Sequence, residues 1–162
     1  MGEPRWVEVD APSVTLRGLI WQPDHGAEDA PIALCLHGFP DTAHGWRKVA
    51  PKLAAAGWRV VAPFMRGYAP STIPSDGSYH VGALMDDALR LVDAVGPTGR
   101  DVIVGHDWGA IAGAGLAAMP GSPFSKAVIM SVPPAASFWP LGRVHDAGRL
   151  TAQLPRQLLR SW

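Results

Sequence analysis

The chain has 162 residues, and its 14 Lys+Arg balance its 14 Asp+Glu to a formal net charge of zero. That length suits one domain with a real core. The even charge, without any basic stripe, argues against nucleic acid or an anionic membrane as a partner. The N-terminus MGEPRWVEVD has no apolar segment of signal-peptide type, and no apolar run is long enough to span a bilayer. The single cysteine, Cys35 in PIALCL, supplies no disulfide framework and reads as a buried free thiol in a cytoplasmic protein.

WVEVD (6–10) and VTLRGLIWQ (14–22) predict two short strands joined by a turn containing Pro12. After the polar loop PDHGAED, the continuous apolar run PIALCLHG (31–38) predicts a strand covered on both faces. DTAHGWRKVAPKLAAAG (41–57) predicts a helix with Asp41 as N-cap and Gly57 as stop, broken or kinked at Pro51. WRVVAPF (58–64) is the next strand, followed by a loop rich in turn formers. YHVGALMDDALRLVDAVG (79–96) places Val81, Leu84, Met85, Ala88, Leu91, Val92 and Val95 at helical spacing. RDVIVGHD is a strand, WGAIAGAGLAAM a helix, and SKAVIMSVPP (125–134) a final strand. Strands alternating with helices imply right-handed crossovers and a mainly parallel sheet of about six strands. The tail beyond it is partly amphipathic, with Pro155 inside it.

In VIVGHDWGA (102–110) a strand feeds directly into a helix, so the joining residue must make a tight turn. Gly105 and Gly109 suit this, because side chains there would strike the neighbouring strand or helix. Between them the position that usually holds a nucleophilic serine holds Asp107. Its carboxylate would project beyond the C-terminal edge of the sheet, where open α/β folds bind ligands, with a helix N-terminus favouring the ionised form. For this string alone, an aspartate that merely caps the helix is an equally good reading. Two further motifs shift the balance. HGFPD (37–41) brings backbone N–H groups to the same edge after one strand, and RGYAPS (66–71) follows the next.

HGFPD, RGYAPS and GHDWGA, in this order and spacing, resemble the epoxide hydrolase branch of the α/β-hydrolase superfamily, a close relative of the haloalkane dehalogenases that also use an aspartate. The resemblance implies an α/β-hydrolase fold, with residues 1–140 forming the N-terminal part of the core and 141–162 opening a helical cap. It implies Asp107 as nucleophile, with the backbone N–H groups of Trp108 and Phe39 as oxyanion hole. His37, Gly38 and Pro40 match the loop that shapes the hole, with a cis Phe39–Pro40 bond. Arg66, Gly67 and Tyr68 match a buttressing loop, and His106, pointing away from Asp107, is read as packing.

A carboxylate suits a saturated carbon, since it needs no deprotonation and leaves an alkyl ester on the enzyme. Haloalkane dehalogenases often carry Asn where this chain has Phe39, and fluoroacetate dehalogenases tend to carry Arg where it has Trp108, so an apolar epoxide is the better substrate. These motifs call for no metal and no organic cofactor. The family order is nucleophile, acid, then histidine, with cap tyrosines between; those later parts have no counterpart here, and His145 with Asp146 reads as a solvated surface pair. Three readings follow: part of an epoxide hydrolase-type enzyme, a non-catalytic remnant that binds a partner through an uncovered sheet edge, or half of a split enzyme completed by a second chain.

Overall fold

The computed structural model describes residues 3–133. The expectations for the tail, including the cap boundary at 141, Pro155 and the pair His145 and Asp146, lie outside the described residues. The strands are β1 (Arg5–Asp10), β2 (Thr15–Trp21), β3 (Ile32–Leu36), β4 (Arg59–Phe64), β5 (Asp101–His106) and β6 (Phe124–Met130); the α-helices are α1 (Ala50–Ala55), α2 (Val81–Val95) and α3 (Trp108–Ala118). They form one six-stranded sheet in the order β1-β2-β4-β3-β5-β6. β1 and β2 run antiparallel, whereas β4, β3, β5 and β6 are parallel.

Side-chain alternation along the central strands sorts the core into two layers. Ile32, Leu34 and Leu36 of β3 point to one face, where Leu84, Ala88 and Val92 of α2 and Ala112 and Leu116 of α3 cover them. Ala33 and Cys35 point to the other, against Trp46, Ala50 and Ala54. Burial on both faces is why this strand reads as an unbroken apolar run. β6 differs, since most of its residues are half-buried or exposed.

The helix expected over 41–57 is two pieces. A 3-10 helix, Ala43–Lys48, precedes α1, and Pro51 stands in the first turn of α1, where its missing N–H costs nothing. The cap is Thr42, whose hydroxyl accepts from the His44 N–H at 3.3 Å, and not Asp41, whose carboxylate turns instead to the Thr42 N–H at 2.8 Å. Strand 31–38 stops at Leu36, because His37 and Gly38 leave the sheet to form the loop before Phe39. The last strand ends at Met130, where Ser131 turns with φ 64°.

From β3 the chain crosses by α1 to β4 on one side, then returns by α2 over β3 to β5 on the other. The crossover direction reverses there, so the C-terminal ends of β3 and β5 diverge into a crevice of the kind that binds ligands in open α/β sheets.

Candidate active site

Only Asp107 separates β5 from α3. With no loop available, Asp107 makes the turn itself, at φ 54° and ψ −117°, a region costly for any side chain by about 1–3 kcal/mol. Its N–H donates to the Met130 carbonyl of β6 at 3.2 Å, and its carbonyl accepts from Ala110 and Ile111 at 2.9 and 3.1 Å, opening α3. The turn is thus held by both neighbours in the fold.

The carboxylate forms no side-chain cap on α3. Instead its Oδ1 accepts the Phe39 N–H at 2.9 Å, from the loop that follows β3. The Phe39 N–H first, and the Trp108 N–H second, hold the Asp107 carboxyl below the usual carboxylate range; desolvation opposes them weakly and His106 adds a small favourable charge. Asp107 is therefore ionised at neutral pH and half-buried.

Close approach dictates the glycines here. A Cβ on Gly38 would run into the Asp107 carboxylate, one on Gly105 into the Gly109 carbonyl, and one on Gly109 into the Leu36 carbonyl. The two residues whose N–H groups meet the carboxylate are exposed to solvent, Phe39 by 70% and Trp108 by 47%. A carboxylate held by the backbone N–H groups of two exposed aromatic residues is suited to an apolar molecule bearing a polar atom.

His37 is fully buried, with Nδ1 2.9 Å from the Gly38 carbonyl and Nε2 accepting the Met65 N–H at 3.0 Å. Burial pushes its pKa below 6.5, against smaller opposing effects of the Gly38 carbonyl and the Asp41 charge. The Tyr68 ring meets it edge-on, with centroids 4.8 Å apart. Burial, and then the Asp107 charge, raise the Tyr68 hydroxyl. The Phe39–Pro40 peptide is cis, and the Asp41 N–H closes the turn on the Gly38 carbonyl at 3.0 Å.

Arg66 is placed differently. Its Nε and Nη2 grip the two oxygens of Asp87 on α2, both at 2.7 Å, while Nη1 donates to the Ser78 carbonyl at 2.7 Å. The pair is buried; burial raises the Asp87 carboxyl above its ordinary value against the opposing pull of Arg66, while the fork raises Arg66 further. Gly67 turns at φ 80° against the Tyr79 ring. The loop after β4 is thereby anchored to α2 through Arg66, and it presents Tyr68 to His37.

The structure thus gathers Asp107, Trp108, Phe39, Gly38, Gly105, Gly109, His37 and Tyr68 at one edge, while Arg66 serves the loop from behind. His25, His44 and His80 are exposed, and His80 caps α2 through Nδ1 and the Ala83 N–H. Met65 and Asp87 escaped the sequence reading. Asp87 had left a signal, since it lies on the apolar stripe of Leu84, Ala88 and Leu91, where an unpaired carboxylate would be costly. Met65 left none, because it contributes only its backbone N–H.

A family model described as the alpha/beta hydrolase fold matches residues 31–159. The chain belongs to that family. Within it, the chain is 40% identical over 112 residues to epoxide hydrolase A of Mycobacterium tuberculosis, an overlap covering 68% of this chain and 33% of that protein. It is also 40% identical over 104 residues to an epoxide hydrolase of Caballeronia sordidicola, covering 64% and 31%. The crystal structure of epoxide hydrolase A from Mycobacterium thermoresistibile superposes with a TM-score of 0.71 at 32% identity, over 81% of this chain and 40% of that one. The chain therefore spans about a third of the length of these curated relatives. Among the described residues no helix is long and apolar enough to cross a membrane.

Proposed function

We propose that this α/β-hydrolase chain carries the nucleophile and oxyanion hole of an epoxide hydrolase. The observation that carries the reading is the ionised Asp107 on its strained turn, with Oδ1 held by the Phe39 N–H. An ionised carboxylate anchored at one oxygen is suited to attack a saturated carbon. A carboxylate oxygen of Asp107 forms a bond to one ring carbon, that carbon's bond to the ring oxygen breaks, and the oxygen leaves as an alkoxide that takes a proton from water or an acid. The product is a hydroxyalkyl ester on Asp107.

Breakdown of the ester then needs water at the Asp107 carboxyl carbon. Negative charge develops on the carboxyl oxygen facing Phe39 and Trp108, whose N–H groups stabilise it, each worth about 3–4 kcal/mol of barrier in comparable sites. The diol departs and the carboxylate is restored. A base must take the water's proton, and we assign that role to none of the described histidines; His37 has both ring nitrogens engaged. In our reading the base and the acid for the ring oxygen come from outside residues 3–133, in this chain, a longer one or a second chain. We place the protein in the cytoplasm on its lone buried thiol.

Intact-mass measurement after incubation with an apolar epoxide such as styrene oxide tests the proposal. The expected result is an adduct of the full epoxide mass on Asp107, absent from Asp107→Asn. No adduct on either protein overturns the reading. An alkyl chloride in parallel addresses dehalogenation, which would add only the alkyl group and release chloride.

A further inference from the structure

The Gly38–Phe39 peptide is one rigid unit with a role at each end. Its N–H donates to Asp107 Oδ1 at 2.9 Å. Its carbonyl is held from the other side by the turn bond from the Asp41 N–H, at 3.0 Å, and by the His37 ring, at 2.9 Å. Because the peptide is planar, turning the carbonyl turns the N–H with it.

The hydrogen bonds of His37 admit one tautomer. The Met65 N–H can only donate, so Nε2 must accept; the Gly38 carbonyl can only accept, so Nδ1 must carry the proton. Both partners are backbone groups that cannot reverse their roles. The ring is buried, and Tyr68 packs edge-on against it. His37 therefore bridges the chain leaving β4 to the peptide that grips Asp107, without touching the carboxylate.

We infer that His37 is a positioning residue for the oxyanion hole: its Nδ1–H, fixed by the Met65 N–H on Nε2, sets the plane of the Gly38–Phe39 peptide and aims the Phe39 N–H at Asp107. This deepens the proposed function and rests on it for its catalytic meaning. The geometric claim concerns Asp107 alone and is measured without any substrate. A carbonyl engaged by two donors also polarises its own N–H, so the grip on Asp107 strengthens through the peptide.

Two substitutions separate the two hydrogen bonds of the ring. The amide of His37→Asn occupies the Nδ1 position and keeps a donor for the Gly38 carbonyl. The amide of His37→Gln reaches the Nε2 position, keeps an acceptor for the Met65 N–H and loses the donor to Gly38. In the full 162-residue chain, NMR titration of the Asp107 carboxyl is expected to give a raised pKa in His37→Gln and a near-native one in His37→Asn. Equal effects of the two variants, or an unchanged Asp107 pKa in His37→Gln, overturn the inference. The ring 15N shifts of the unaltered protein serve if a variant fails to fold. They should report the Nδ1–H tautomer, and the Nε2–H tautomer would overturn the inference too. If the unaltered protein gives no adduct while the Asp107 pKa follows the expected pattern, the functional reading fails and the positioning role stands.

Discussion

Asp101 and Asp107 cap opposite ends of β5 and share one residue type, yet the fold treats them in opposite ways. Asp101 is fully buried; Oδ1 accepts from the Ile32 N–H at 2.7 Å and the Thr98 hydroxyl at 2.8 Å, and Oδ2 from the Thr98 and Gly99 N–H groups at 2.8 and 3.3 Å. Nothing of that carboxylate is left for a ligand. Asp107 is half-buried, sits on a strained backbone, and has Oδ1 on the Phe39 N–H. At the N-terminal end of a parallel strand the entering loop folds over the carboxylate and satisfies it. At the C-terminal end the crossovers diverge, so a carboxylate there stays available. In the proposed reading, the fully satisfied carboxylate is the structural aspartate and the one left accessible is the nucleophile.

Removing each carboxylate should break the contrast in opposite directions. Asp101→Ala strands the buried Ile32 N–H and removes the acceptor that holds the Thr98–Gly99 turn, and a loss of about 3 kcal/mol is expected in urea unfolding. Asp107→Gly relieves the backbone at φ 54°, and a gain of about 1 kcal/mol is expected, together with complete loss of the epoxide adduct. Asp107→Gly no more stable than Asp107→Ala, which lacks the same carboxylate, would mean that the turn is not strained.

Acid sharpens the same comparison. His37 is held below its ordinary value of 6.5, so the folded state binds fewer protons than the unfolded one as pH falls. Its contribution is fully present above pH 6.5 and is lost progressively below it, as protonation of Nε2 opposes the Met65 N–H. Around the ring stand Tyr68, edge-on, and the Asp41 charge, which moderates the shift. The urea midpoint should therefore drop between pH 7 and 5 in the unaltered protein and be flatter in His37→Gln. Asp107, held low, loses its contribution only as pH falls below the usual carboxylate value of 3.8.

The smallest expected effect concerns Cys35. Burial in the layer opposite α2 and α3 pushes its thiol up to about 12, so it stays protonated and shielded. Labelling by a thiol reagent at pH 8 should be far slower in the folded protein than in urea.

Much of this architecture was legible in the chain order. The apolar run at Ile32–Leu36, the helical stripe from Val81 to Val95 and the glycine-flanked turn at Asp107 each declare themselves within a few residues, because period and turn chemistry are local. The helix predicted over 41–57 starts one residue later than its sequence suggests, because Asp41 and Thr42 are both good caps and only the path of the loop chooses between them. The roles of His37 and Arg66 could be sensed from their motifs, but not their partners, since Met65 and Asp87 come beside them only through the strand order and the packing of α2.

By itself, then, the sequence determined the succession of strands and helices, the two-faced burial of β3, and a carboxylate on a turn too tight for a loop. The tertiary structure decided which ends meet. The Phe39 N–H reaches Asp107 across 68 positions of chain because β3 and β5 are neighbours at a reversal of the crossovers. Local propensity acts over a turn or two, whereas the partner of a hydrogen bond between loops is set by which strands pair, and pairing is a property of the whole sheet.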